Sequence, residues 1–171
     1  SFDLAEETKN LDEVDTLVVN AAECEPYLTT DYRECLENTA DVFDGIQTVM
    51  RFLDLERAVI GFEDNMPKAI ELFRQIATDR STVKRQIEVC VMPSRYPRGA
   101  EKVLIHSCTG RKVPPGKLPA DIGCLVMNVT SVGFLARYLK TGMPLIARRL
   151  TVDGSAIPTP QNVMVTVGSR V

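Results

Sequence analysis

The chain has no tryptophan, one histidine and few aromatics, 6% of its 171 residues. Glu23 and Glu25 form a carboxylate pair of the kind used in acid–base work. Glycoside chemistry would also need an aromatic-lined cleft, and the missing tryptophan argues against it. The single histidine, His106, follows the apolar run Val103-Leu104-Ile105 with no serine–carboxylate logic around it, so it reads as a packed or surface residue. The five cysteines (Cys24, Cys35, Cys90, Cys108 and Cys124) are odd in number, scattered, and never spaced as Cys-x-x-Cys. That argues against a disulfide framework and against a zinc or iron–sulfur site made by this stretch alone. On apolar segments they read as small buried hydrophobes, which suits a reducing compartment. No apolar run approaches the ~20 residues of a membrane helix, and no basic region leads into an apolar stretch as in an export signal. Charge of one sign is lacking too: 20 Lys and Arg face 23 Asp and Glu, a net charge of -3. Without a basic stripe, nucleic acid is not expected as a partner. Neither G-x-G-x-x-G nor G-x-x-x-x-G-K-[ST] occurs.

What is present is alternation. Hydrophobic residues make up 44% of the chain, enough for a core. Short apolar runs at 15–20, 57–63, 87–92 and 121–127 read as buried strands. Between them lie helical periods. The first, 32–53, places Tyr32, Cys35, Leu36, Ala40, Phe43, Ile46, Val49, Met50 and Leu53 inward, with Asp31 as its N-cap. A second spans 67–78 with Pro67 in its first turn, and a third lies near 99–108. A fourth, 130–140, carries Val132, Leu135, Ala136 and Leu139 on one face and ends at Gly142. This order predicts an α/β fold, a mostly parallel sheet with helices on both faces. Residues 145–152 and 164–167 read as strands with no helix after them, so 151–171 is expected to open a separate β-rich element. The pair Arg148-Arg149 reads as a solvated strand end.

In open parallel sheets ligands bind at the carboxyl ends of the strands. Three strand exits are unusual. The first is Asn20-Ala21-Ala22-Glu23-Cys24-Glu25-Pro26-Tyr27. The second is Pro93-Ser94-Arg95-Tyr96-Pro97-Arg98-Gly99-Ala100-Glu101-Lys102. The third is Met127-Asn128-Val129-Thr130-Ser131.

The first exit, extended to Val18-Val19 before it and Leu28-Thr29-Thr30-Asp31-Tyr32-Arg33 after it, closely resembles the Asn-x-x-Glu-Cys-Glu-Pro-Tyr signature of the C subunit of the Rnf electron-transport complex. Further segments match in order: Gly61-Phe62-Glu63-Asp64-Asn65, Tyr96-Pro97-Arg98-Gly99-Ala100-Glu101-Lys102, Lys117-Leu118-Pro119-Ala120-Asp121-Ile122-Gly123, Asn128-Val129, Thr151-Val152-x-Gly154 and Pro160-x-Asn162. That family is similar here to the FMN- and NADH-binding subunit of respiratory complex I.

The resemblance implies a Rossmann-like FMN/NADH domain over 1–150 and the start of a β-grasp-like module over 151–171. It implies part of an NADH-dependent oxidoreductase, inactive as this stretch alone, in which hydride from NADH reaches non-covalent FMN. Electrons then pass to iron–sulfur clusters (4Fe-4S) elsewhere in the full-length chain and on to a ferredoxin-type acceptor. Carried over by position, Asn20, Glu23 and Cys24 line the flavin and Glu25 faces the nicotinamide nucleotide. Tyr96, Gly99 and Glu101 form a second wall, and Asn128 and Ser131 a third. No residue is assigned a direct catalytic or metal-binding role. The family's glycine-rich phosphate loop is expected before the first strand, yet 1–14 holds no glycine, so the chain reads as a central fragment. The implied place is cytoplasmic, peripheral on the inner face of the cell membrane, among other subunits of the complex and with no transmembrane segment of its own. Two alternatives stay open: a soluble relative, such as a corrinoid reductase or an amino-acid-reductase electron-transfer protein, and a binding or scaffold module that keeps the fold without the redox step.

Overall fold

The computed structural model describes residues 13–23, 25–95 and 99–170. Four strands, β1 (Thr16–Asn20), β2 (Arg57–Glu63), β3 (Gln86–Met92) and β4 (Cys124–Asn128), form one sheet in the order β3-β2-β1-β4. Every pairing is parallel, with Asn20 abreast of Gly61 on one side and Asn128 on the other. The middles of the two central strands are continuously apolar because both of their faces are covered: Leu17, Val18, Val19, Ala58, Val59, Ile60 and Phe62 are all buried. Helices lie on both faces, so the α/β architecture read from the alternation is the one observed.

Alternate strand residues feed two cores. Leu17, Val19, Ala58, Ile60 and Phe62 join the larger one, built with the helices α1 (Thr30–Glu37), α2 (Thr39–Phe52), α3 (Pro67–Arg80) and α5 (Val129–Thr141). Phe73 sits at its centre, with the rings of Phe43 and Phe62 each 5.0 Å away. Val18, Val59 and Cys124 face the other way, onto Leu104, Ile105 and Cys108 of α4 (Glu101–Thr109).

The expected single helix over 32–53 is two. Asn38 breaks it at φ -123° and ψ 30°, bonding the Glu34 carboxylate through its side chain at 2.8 Å. Thr39 bonds back to the Cys35 carbonyl, and such side-chain bonds compete with a continuous helical ladder. The inward stripe continues across the break, with Ala40 as an exposed exception. In α5 the buried stripe is Val129, Val132, Gly133 and Ala136, and Leu139 is exposed. Lys140, not Leu139, turns toward α2, where Asp41 and Asp44 receive its ammonium at 2.9 and 2.8 Å. Gly142 closes α5 in the left-handed region at φ 68°, the place expected for it.

Beyond α5, β5 (Ala147–Val152) and β6 (Gln161–Thr166) pair antiparallel as a separate two-stranded sheet. It leans on the first strand exit. Asn162 donates to Thr29 Oγ1 at 2.8 Å, and Thr151 Oγ1 accepts from Thr29 N at 3.2 Å while donating to Asn162 Oδ1 at 2.8 Å.

Asp44 ties three helices together, accepting from Lys140 and from Arg80 at 2.9 Å. The Lys140 hydrogen bond, with help from Arg80, outweighs burial and holds the Asp44 carboxyl below its ordinary value. A carboxyl so depressed adds stability that is present above the unfolded value of about 4 and is lost as pH falls through the lower folded value. Asp44→Asn is therefore expected to flatten the decline in melting temperature below about pH 4, and to cost no more than about 1 kcal/mol at neutral pH because the partners are half-exposed. Thermal melts across that acid range, wild type against variant, check it.

Candidate functional site

Because all four strands run parallel, their carboxyl ends and following loops share one edge of the sheet. The chain steps outward from β1 through β2 to β3, then returns to place β4 on the other side of β1. The crevice between β1 and β4 is thus a topological switch point, the place where such sheets bind ligands. Asn20 and Asn128 end the two strands that flank it.

The Asn20 carboxamide joins two of the three exits. Its Oδ1 accepts from Ala22 N at 3.0 Å, and its Nδ2 donates to the Gly99 carbonyl at 3.1 Å, 79 positions along the chain. Glu23 is buried, and its carboxylate is committed to the N-terminus of α1. It accepts from Thr30 Oγ1 at 3.0 Å, Asp31 N at 3.1 Å and Tyr32 N at 3.3 Å. A helix N-terminus has free N–H groups and a positive dipole end, so a carboxylate there is favoured. Thr29, not Asp31, is the N-cap residue of α1. Glu25 is exposed, and Tyr27 beyond it turns the chain in the left-handed region at φ 69°. Cys24 lies outside the described residues.

Asp31, read from the sequence as a cap, reaches instead across the switch point. Its carboxylate accepts from Asn128 Nδ2 and Thr130 Oγ1, each at 2.7 Å. Asn128 is itself the N-cap of α5, its Oδ1 accepting from Thr130 N at 2.8 Å and Ser131 N at 3.4 Å. One continuous hydrogen-bonded chain therefore runs from Glu23 through Asp31 to Asn128. Burial pushes the Cys35 thiol beneath it well above its ordinary value, with the carboxylates of Asp31, Glu34 and Glu23 adding to the effect.

The second exit is anchored from β2. Ser94 donates its hydroxyl to Glu63 Oε2 at 3.0 Å and its N–H to Asp64 Oδ1 at 2.9 Å. Glu63 is buried, and its other oxygen has no hydrogen-bond partner among the described residues. Gly99 is half-buried, and Glu101 is exposed in the first turn of α4. Tyr96 lies outside the described residues.

A cavity of about 500 Å³ opens between α1, α5 and the β5–β6 hairpin, with Asp31, Asn128, Ser131, Arg148, Arg149 and Met164 among its lining. Arg149 is not the solvated strand end expected. Its side chain is 19% exposed and bonds Glu37 of α1 at 2.7 Å, because the hairpin folds back onto that helix. One of its guanidinium nitrogens is buried without a partner among the described residues.

The structure thus joins Asn20 to Gly99 and Glu23 to Asn128, with Ser131 in the first turn of α5. Sequence reasoning assigns no role to Asp31 in the crevice, to Glu63 or to Arg149. Glu63 stands in the segment 61–65, already singled out by the resemblance, which is the available signal. Asn20 and Asn128 each keep an amide hydrogen with no further partner among the described residues, and Ser131 offers an exposed hydroxyl. Neutral donors of this kind suit the polar rim of a heteroaromatic ring and the hydroxyls of a polyol. Among the described residues no group of three or more His, Cys, Asp or Glu could hold a metal ion, and no helix is long and apolar enough to cross a membrane.

A family model described as the Nuo51 FMN-binding domain matches residues 2–137. The C subunit of the proton-translocating ferredoxin:NAD(+) oxidoreductase complex of Clostridium ljungdahlii is 46% identical over 91% of this chain and 33% of its own length. Its Na(+)-translocating counterpart from Acetobacterium woodii is 43% identical over 91% of this chain and 34% of its own length. The C subunit of an ion-translocating oxidoreductase complex of Vibrio cholerae is 40% identical over 94% of this chain and 20% of its own. The chain thus spans about a third or less of these relatives, and the resemblance to the Rnf family is borne out. An NAD+-reducing [NiFe]-hydrogenase in its air-oxidised state contains a chain of the same fold, with TM-score 0.77 and 19% identity over 99% of this chain and 34% of that one.

Proposed function

The chain belongs to the family of the Nuo51 FMN-binding domain, and from that footing we propose that it is the flavin-holding part of an Rnf-type electron-transport subunit. The observation that carries the reading is the switch-point crevice, where Asn20 and Asn128 end β1 and β4, each with an amide hydrogen that has no further partner among the described residues. These residues fit FMN. Asn20, Asn128 and Ser131 would hold the polar ring edge and the ribityl hydroxyls, with Gly99 fixed beside them by Asn20. Glu23 would shape the same wall by holding α1 in place, and Cys24 would line it. Glu25 would face the nicotinamide nucleotide, whose ribose hydroxyls suit a carboxylate. Tyr96 and Glu101 would complete the second wall.

FMN, when bound, supplies the step between two-electron hydride donors such as NADH and one-electron carriers such as iron–sulfur clusters. The residues of this chain bind, orient and exclude. In the complete polypeptide, electrons would pass to 4Fe-4S clusters in other segments and toward a ferredoxin-type acceptor. The relatives' names, all subunits of ion-translocating complexes, support other subunits of a membrane complex as partners. A peripheral position on the cytoplasmic face belongs to the same reading, as does a β-grasp-like module opening near 151.

The test uses the complete polypeptide. Its visible spectrum is recorded, and NADH is added without oxygen. A flavin band that bleaches supports the proposal. A protein still colourless after reconstitution with FMN would make it a binding module of the same fold. Glu25→Gln is expected to slow NADH-dependent bleaching about tenfold, the loss of one charge-assisted hydrogen bond, while flavin stays bound. Loss of flavin instead would move Glu25 from the nucleotide side to the flavin side.

A further inference from the structure

Three cysteines lie on the sheet face opposite the larger core: Cys90 on β3, Cys108 in the last turn of α4, and Cys124 at the start of β4. Gly61 brings two of them together. It is the register partner of Cys90, and it lets α4 settle onto the sheet. A β-carbon at 61 would stand 2.5 Å from Leu104 Cδ1 and 3.0 Å from Cys108 Sγ. The Cys108 sulfur therefore rests over the strand beside Cys90. Cys90 Sγ also lies 3.6 Å from the Ser107 carbonyl, one residue before Cys108.

The two sulfurs are unequal. Cys90 is half-buried and Cys108 is buried. The neighbouring Cys108 thiol favours the Cys90 thiolate and brings it down to about 7, against the opposing effects of burial and Glu88 and with some help from Arg57. The proximity of Cys90, together with burial, pushes Cys108 up. Burial also raises Cys124 despite its contact with Arg111 at 3.7 Å, and raises Cys35 on the other face. A low-lying thiolate beside a protonated thiol is the arrangement of an attacking and a resolving cysteine.

We propose that Cys90 and Cys108 are an oxidisable pair, a modification site that closes to a disulfide with a hydroperoxide as oxidant. The Cys90 thiolate attacks one peroxide oxygen, the O–O bond breaks, and a sulfenic acid forms on Cys90 as water leaves. The Cys108 sulfur then attacks the Cys90 sulfur, the S–O bond breaks, and the Cys108 proton leaves with the hydroxyl as a second water. Two thiols and one hydrogen peroxide become one disulfide and two waters, the sulfurs losing the two electrons that the peroxide oxygens gain. The new bond would join β3 to α4, the elements on either side of the exit that holds Ser94 and Gly99. The pair does not depend on a bound flavin.

The test treats the reduced complete polypeptide with one equivalent of hydrogen peroxide, alkylates the remaining thiols, and maps cross-linked peptides by mass spectrometry. A Cys90–Cys108 cross-link is expected, together with alkylation of Cys90 at pH 7 about tenfold faster than Cys124. Cys108→Ser should leave Cys90 as a sulfenic acid trapped by dimedone, and Cys124→Ser should leave the cross-link intact. Cys90 still fully alkylatable after peroxide, or joined instead to Cys124 or to a second molecule, overturns the proposal. The wild-type cross-link map decides the matter even if a variant does not fold.

Discussion

Gly45→Ala is expected to lower the unfolding free energy by about 3 kcal/mol, the upper part of the range for overpacking a close-packed core. Gly45 lies in α2 against α5, where an added β-carbon would overlap the Val132 carbonyl oxygen and stand 2.8 Å from both the Val132 carbonyl carbon and its Cγ1. Two of those three atoms are backbone, so no rotamer change relieves the clash and the helices must separate. The sign is the informative part. Helix propensity alone makes alanine more favourable than glycine by about 1 kcal/mol in a helix interior. Local preference and tertiary contact thus point in opposite directions, and urea unfolding of wild type and variant tells which wins. A variant as stable as wild type, or more so, would mean that α2 and α5 stand further apart than the structure has them. Separation would also be felt in the crevice, because Asn128 caps α5 and Thr130 and Ser131 lie in its first turn.

The strands are legible in the sequence because the sheet is parallel and covered on both faces. Residues 17–19 and 58–62 are apolar without alternation, a pattern that a sheet with one wet face would not show. The alternation with helices then places all strand exits on one edge. The break at Asn38 is not legible, since the inward stripe from Cys35 to Phe43 keeps its period across it. Two neighbouring polar side chains decide the break through local bonds. Within the site, Asn20 and Asn128 stand out as amides at strand ends. The partners that orient them do not, because Asn20 meets Gly99 across 79 positions and Asp31 meets Asn128 across 97. Asp31 looks like a cap because it precedes the helical period, but Glu23 supplies the acceptors for that helix and frees Asp31 to reach elsewhere. Arg149 departs from expectation for a similar reason: a strand end is solvated only if nothing folds over it, and here α1 lies beneath the hairpin.

Asp31→Ala should weaken FMN binding by the complete polypeptide about 10- to 100-fold while leaving the fold within about 1 kcal/mol of wild type. The carboxylate accepts two short bonds, from Asn128 Nδ2 and Thr130 Oγ1. Bonds to a charged group contribute about 1.5–3 kcal/mol when well shielded, and each 1.4 kcal/mol is tenfold in affinity. Both donors border the cavity, so water can replace the lost acceptor and the fold itself suffers little. At the proposed flavin site binding would suffer more, because the Asn128 amide would then have to be ordered on ligand binding. Asp31→Asn keeps one acceptor and should fall between. If Asp31 acts only by orienting Asn128, the losses in Asp31→Ala and Asn128→Ala will not add, and the double variant will bind FMN about as weakly as Asn128→Ala alone. Flavin titrations of the four proteins close that cycle. Fully additive losses would give Asp31 a contact of its own with the flavin, and an unchanged affinity in Asp31→Ala would remove the Asp31–Asn128 bridge from the site.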